Sequence, residues 1–217
     1  MKKINFKSEL FSWIILFAVI ILSVWAYPQL PERVASHWNL QGEVDGWSSR
    51  KFHSLFFPIL TIVMYFGLLF MPLLDPKKER YQEFIKTYNL IRHALLFVMG
   101  AIFFAATFFN LGYNINIGAI VGALVGALMI FLGNYFGKIK RNWFIGIRTP
   151  WTLSSENVWN KTHRFGGRLF MLWGLGMMFA PWLKGNLVLI IIFSGLIFII
   201  LFIYIYSYLL FKQEKRK

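Results

Sequence analysis

The sequence predicts an all-α polytopic membrane protein of six transmembrane helices, with both termini in the cytoplasm. Three observations predict it. Hydrophobic residues make up 58% of the 217 and charged residues only 15%, against about 45–50% and about 25% in a soluble domain. Six stretches approach the roughly 20 apolar residues that cross a bilayer as a helix. Lys and Arg gather on alternate connections, as the positive-inside rule requires of one orientation.

The spans follow in order. The first is Leu10–Ala26, between Lys7 and Pro28. A cleavable signal peptide is the alternative there, because Lys2, Lys3 and Lys7 precede it; its apolar run exceeds the usual 7–15 residues of such a leader, which favours a retained helix. The second is Leu55–Leu74, ending before Asp75-Pro76-Lys77-Lys78. The third is Ala94–Leu111, after Arg92 and His93, and the fourth is Ile117–Phe136. The fifth is Leu169–Leu183 and the sixth Leu187–Phe211. Connections at 112–116 and 184–186 are short and make hairpins of spans three and four and of spans five and six. Connections 27–54, 75–93 and 137–168 are long enough to hold chemistry. The chain divides at residue 75, into a two-helix unit (1–75) and a four-helix unit (76–217).

Of the 23 Lys and Arg residues, nineteen fall on the N-terminus, segments 75–93 and 137–168, and the C-terminus. Arg33, Arg50, Lys51 and Lys184 fall on the other side. The nineteen belong in the cytoplasm, and segment 27–54 lies outside as a small extracellular cap. Basic residues spread over four juxtamembrane segments argue against direct nucleic-acid binding, despite a formal charge of +14. Cysteine is absent, which excludes disulfides, thiolate zinc sites and cysteine nucleophiles. The span centres carry no Asp, Glu, Lys or Arg, which argues against an ion-coupled pump or an intramembrane metalloprotease. No cofactor, metal site or catalytic group is expected, and the chain reads as a non-enzyme. Gly118, Gly122 and Gly126 form a small-residue ridge on span four. Such a ridge suits close packing within the chain, or else a homo-oligomer seam.

Pro28 and Pro31 end the first helix, and Asn39–Gly42 and Asp45-Gly46 carry turn chemistry around one or two short strands. His37, Trp38, Asn39, Glu43, Asp45 and Trp47 are the candidates for an outward-facing binding surface; the spacing of His37, Glu43 and Asp45 is not diagnostic of a metal. Inside, Ser154 is the expected N-cap of an interfacial amphipathic helix. Val158, Trp159, Thr162, Phe165 and Leu169 share its apolar stripe, and Gly166-Gly167 is the expected bend into span five. Arg141, Trp143, Arg148, Thr149, Pro150, Trp151, Trp159, His163 and Arg164 are candidates for contact with lipid headgroups or a cytoplasmic protein. The bland alternative is topology signals and belt aromatics.

Two segments carry a resemblance. Leu30-Pro31, His37-Trp38-Asn39, Gly42-Glu43 and Asp45-Gly46 resemble the N-terminal domain of unknown function found in many bacterial membrane proteins. Gly133-Asn134, Asn142, the run Gly146-Ile147-Arg148-Thr149-Pro150-Trp151-Thr152-Leu153, Val158-Trp159 and Thr162-His163-Arg164 resemble the signature of the SdpI immunity-protein family. The resemblance implies a bacterial cell-membrane protein, of Gram-positive origin, that confers immunity to a secreted SdpC-like peptide toxin. It further implies a receptor role in which a toxin-loaded protein holds an ArsR-like repressor at the membrane. The alternative reading is a transporter or binder of a lipid or small hydrophobic molecule.

Overall fold

A computed structural model of the chain describes residues 6–39, 42–180, 183 and 190–216. The elements are α1 (Phe6–Ala26), β1 (Arg33–Trp38), β2 (Val44–Ser49), α2 (Arg50–Phe70), α3 (Tyr81–Asn110), α4 (Ile117–Phe136), α5 (Pro150–Ser154), α6 (Glu156–Phe179) and α7 (Gly195–Glu214). Short 3-10 turns at Met71–Leu74 and Lys78–Arg80 join α2 to α3, and a π-helical turn at Ile190–Ser194 leads into α7. Among the described residues five helical segments are long and apolar enough to cross a membrane: Ser8–Ala26, Arg50–Leu74, Lys78–Asn110, Ile117–Phe136 and Ile192–Glu214. The chain is a mostly helical, multi-pass membrane protein. The end of the expected fifth span, the connection 184–186 and the start of the sixth lie outside the described residues. So do Lys2 and Lys3.

The chain packs into two units that interleave in sequence. One takes the chain up to Leu69 together with Arg92–Leu124; the other takes Phe70–Ile91 and the chain from Val125 onward. The expected division at residue 75 partitions consecutive segments, whereas packing divides α3 and α4 between the two units.

In the first unit, Ile15, Leu16, Val19 and Leu22 recur every three or four residues on one face of α1. They pack with Tyr65 of α2 and with Leu96 and Phe103 of α3. A Cβ at Gly100 would lie 3.1 Å from Ile15 Cγ2, so α1 and α3 approach closely there. On the other face Phe11, Ile14, Phe17, Ile21 and Val24 are exposed, as lipid-facing residues are. The cap is an antiparallel β1–β2 hairpin. Val34 and Ala35 are buried beneath it. Asn110 at the end of α3 clamps its edge, accepting from the Ala35 N–H (2.7 Å) and donating to the Ala35 carbonyl (3.0 Å). A side-chain amide thus does what a neighbouring strand's peptide would do.

The second unit turns on glycine. A Cβ at Gly126 would lie 2.6 Å from the Gly174 carbonyl, and one at Gly133 would strike the Gly167 carbonyl. Helices α4 and α6 therefore meet backbone to backbone, as small residues allow. Gly126, at one end of the ridge read as a packing or oligomer seam, is engaged within the chain.

Two local expectations are corrected. Gly166 and Gly167 do not bend the chain: α6 runs unbroken through them. Gly166 instead makes room for Ile147 and Ile203, and Gly167 for Gly133. The α6 N-cap is Ser155, whose side chain accepts from the Val158 N–H, and not Ser154, which closes α5. Helix α3 also begins at Tyr81, well before the expected Ala94. Tyr81, Phe84, Tyr88 and Ile91 give that added stretch a buried face despite its charges.

That lengthening has a consequence inside the first unit. Arg92 donates to Glu9 at 2.6 Å, with the side chains 2% and 4% exposed. The span centres remain free of charge, but one ion pair is fully buried among the span ends.

Candidate functional site

The segments of the second unit that connect its helices close into a polar knot. At its centre lies Asp75, 2% exposed. Its Oδ1 accepts from the Lys77 N–H (2.7 Å), and its Oδ2 accepts from the Tyr81 hydroxyl (3.1 Å) and from the Trp143 N–H (2.9 Å). Asn142, fully buried, organises the loop around itself. Its Oδ1 accepts from the Phe144 and Ile145 N–H groups (2.9 and 2.8 Å), and its Nδ2 donates to the Lys140 and Ile145 carbonyls (2.9 and 3.0 Å). A buried amide satisfied on both atoms fixes the backbone it touches. The loop then leaves through Gly146, whose φ of +107° suits glycine. A Cβ there would strike His163 Nε2.

The run Thr149-Pro150-Trp151-Thr152 is a helix start. Thr149 accepts from the Thr152 N–H through its side chain, and the Thr152 hydroxyl oxygen accepts from the Thr149 N–H in return, with Pro150 in the first turn. This reciprocal cap explains why the residues occur at that spacing. The Thr149 hydroxyl reaches on to Ser207 of α7 (3.0 Å), and Trp151 stacks edge-on against Tyr204 at 4.7 Å.

Helix α6 is pinned by Trp159 and His163. The indole Nε1–H donates to the Ile139 carbonyl (2.8 Å), and the Trp159 ring stacks on the His163 ring at 4.0 Å. His163 Nε2 accepts from the Ile147 N–H (2.9 Å), which leaves the proton on Nδ1, donated to the Trp159 carbonyl (2.8 Å). Burial pushes the His163 pKa down to about 4, so the ring is neutral and keeps its acceptor. At the start of α6, Arg80 grips Glu156 with two bonds of 2.6 and 2.9 Å and also reaches Glu83 at 3.1 Å. The hydrogen bonds from Arg80 hold the Glu156 carboxyl below its usual range.

These contacts sort the inner candidates. Thr149, Trp159 and His163, expected at a contact surface, are instead buried and build the knot. The stripe of α6 faces the protein itself, because Val158, Trp159 and Thr162 are buried. Trp143, Arg148, Pro150 and Arg164 are exposed, and Arg141 and Trp151 half-buried. Arg148 donates to the Trp143 carbonyl at 2.6 Å, so the exposed indole stands on a backbone held from both sides. The knot can present an aromatic and several cations on a rigid loop.

The outer candidates gather on the hairpin. His37 pairs with Asp45. Asn39 Oδ1 accepts from the Glu43 N–H (2.9 Å), and Asn39 Nδ2 donates to Glu43 Oε2 (3.0 Å). A Cβ at Gly46 would lie 2.7 Å from His37 Cβ, so glycine is required opposite the histidine. Trp38 packs edge-on to Phe109 at 5.3 Å, whereas Trp47 is 56% exposed. Among the described residues no group of three His, Cys, Asp or Glu side chains could hold a metal.

Sequence reasoning missed Asp75, Tyr81, Arg80, Asn110 and the Glu9–Arg92 pair. Asp75 sits before a proline and two lysines, where it resembles an ordinary turn residue; its partner Trp143 lies 68 positions away.

Comparison with known proteins bears out the resemblance. Residues 138–207 match the model of the SdpI/YfhL protein family. Residues 14–62 match a model described as Domain of unknown function (DUF1648). The chain is 24% identical over 185 residues to the Immunity protein SdpI of Bacillus subtilis (strain 168), covering 85% of this chain and 86% of that one. No solved structure matches.

Proposed function

We propose that this chain is an integral membrane immunity protein that protects a Gram-positive bacterium from a secreted peptide toxin of the SdpC-like type. It acts in the cell membrane with six spans and both termini inside. The observation that carries the reading is the similarity to an immunity protein along 85% of the chain. The part that matches the SdpI/YfhL model, residues 138–207, is also where the buried Asn142, Thr149, Thr152, Trp159 and His163 are hydrogen-bonded into one knot. In this reading the exposed side of the hairpin, with Trp47, His37 and Asp45, meets the peptide outside.

Expression of the chain in a strain sensitive to such peptides tests the reading. Survival is expected to rise by orders of magnitude against a cognate peptide, at equal membrane levels of an unrelated control protein. Unchanged killing across a panel of secreted antimicrobial peptides sinks it.

A second activity is favoured by one feature: Trp143, 48% exposed, is held on the cytoplasmic knot by Asp75 and Arg148. An exposed indole beside an arginine is the usual chemistry of a protein-binding hot spot. In this extension the inner loop sequesters a cytoplasmic repressor of the ArsR-like type when peptide is bound outside.

A further inference from the structure

The knot balances its charges unevenly. Its carboxylates are Asp75, Glu83 and Glu156, with Glu214 taken up by the Ser155 hydroxyl and the Asn157 amide at the start of α6. Asp75 accepts three hydrogen bonds, and Arg80 takes both Glu156 and Glu83. Three further cations converge on the same place. Asp75 accepts from the N–H of both Lys77 and Trp143, which brings the Lys77 segment to the Lys140–Trp143 segment. Lys77 has Arg141, Arg80, Glu156 and Asp75 as charged neighbours, and Lys140 and Arg141 neighbour Glu156. None of Lys77, Lys140 and Arg141 is in an ion pair among the described residues. Arg141 donates through one terminal nitrogen to the Leu153 carbonyl at 3.2 Å, while its Nε is buried without a hydrogen-bond partner.

A partly desolvated cation cluster of this kind is costly unless an anion joins it. Burial and the neighbouring guanidiniums of Arg141 and Arg80 push the Lys77 pKa below the ordinary lysine value, and Glu156 and Asp75 offset this only in part. The donor set is one ammonium, one guanidinium with a spare N–H, and a second ammonium nearby. It suits a tetrahedral oxyanion with several acceptor oxygens. A carboxylate offers fewer oxygens for three cations. The place is also juxtamembrane, between the end of one apolar helix at Leu74 and the start of another at Lys78.

We propose that Lys77 and Arg141, flanked by Lys140, bind a phosphate-type oxyanion at the cytoplasmic knot. Its source is the headgroup of an anionic phospholipid or a soluble phosphate. The bound anion completes the charge balance of the loop that presents Trp143. This site is independent of any peptide toxin.

Native mass spectrometry of the full chain tests it. In one arm the protein is released from phosphatidylcholine nanodiscs doped with phosphatidylglycerol. In the other it is released from phosphatidylcholine discs with inorganic phosphate added. Retained phosphatidylglycerol assigns the site to a headgroup, and retained phosphate in the second arm assigns it to a soluble anion. Lys77→Gln removes one charge-assisted hydrogen bond to the anion and is expected to cut retention by roughly tenfold or more. Arg141→Gln is expected to do the same, and Lys161→Gln, on the exposed face of α6, to leave retention unchanged. Arg141 also holds the Leu153 carbonyl, so Lys77→Gln decides: its side chain holds no part of the loop, and its melting midpoint is measured alongside. Retention of either anion by Lys77→Gln at the wild-type level, or no retention by the wild type in either arm, overturns the proposal.

Discussion

Asp75 shows how one side chain sets the shape of a surface that it does not join. Its carboxylate ties the Lys77 backbone, the Tyr81 hydroxyl and the Trp143 backbone together in a buried place. Asp75→Ala removes the acceptor of the Trp143 and Lys77 N–H groups and leaves the Tyr81 hydroxyl only Asn142 Oδ1 at 3.3 Å, and unmet buried donors cost about 1–3 kcal/mol each. A loss of about 2–4 kcal/mol is expected, read as a lower unfolding midpoint in detergent. His163 makes a second prediction at this scale. Its folded pKa is about 4, below the free value of about 6.5, so the unfolded chain binds the proton first as pH falls. The stability supplied by the neutral ring is present above about pH 6.5 and is lost progressively toward pH 4. Over that window the knot should weaken by roughly 3 kcal/mol, since each pKa unit is worth about 1.4 kcal/mol. A chemical-denaturation series from pH 7 to about pH 4 should show the decline in the wild type and a flatter profile in His163→Gln. Neither role is legible from the sequence. Asp75 reads as a turn residue, and His163 reads as a candidate contact for a lipid headgroup or a cytoplasmic protein. In the fold, Glu156 faces Arg80 and His163 faces the Ile147 N–H.

The elements themselves were far more legible, because periodicity and length survive in the sequence. The first, second and fourth spans stand close to where hydropathy places them. The hairpin cap is where prolines, Asn39–Gly42 and Asp45-Gly46 announce turns. What hydropathy misjudged is α3, whose amphipathic first turns bury Tyr81, Phe84 and Tyr88 yet carry too many polar residues to register as a span. The glycines were misassigned for a related reason. A pair such as Gly166-Gly167 signals a bend or a close contact equally well, and only the facing helix decides. Gly133 and Gly167 decide for contact. Gly133→Val is expected to force α4 from α6, because the added Cβ meets backbone that cannot rotate away. Overpacking of this kind costs about 1–3 kcal/mol. Measured melting should fall accordingly, while the same change at Gly118, whose added Cβ would lie 3.6 Å from Asn116 Oδ1, should cost much less packing energy.

At the scale of the whole molecule, the proposed topology has the hairpin outside the membrane and the polar knot inside. The asymmetry of nineteen basic residues against four argues for that orientation, and both proposed partners depend on it. The chain has no cysteine, so a single introduced thiol reports one position without background. Glu32→Cys marks the base of the exposed hairpin and Gln213→Cys the end of α7. Labelling of intact cells with a membrane-impermeant maleimide is the most direct measurement. The account predicts that Glu32→Cys is labelled in intact cells and Gln213→Cys only after permeabilisation; labelling of Gln213→Cys in intact cells, with Glu32→Cys protected until the membrane is opened, would contradict it.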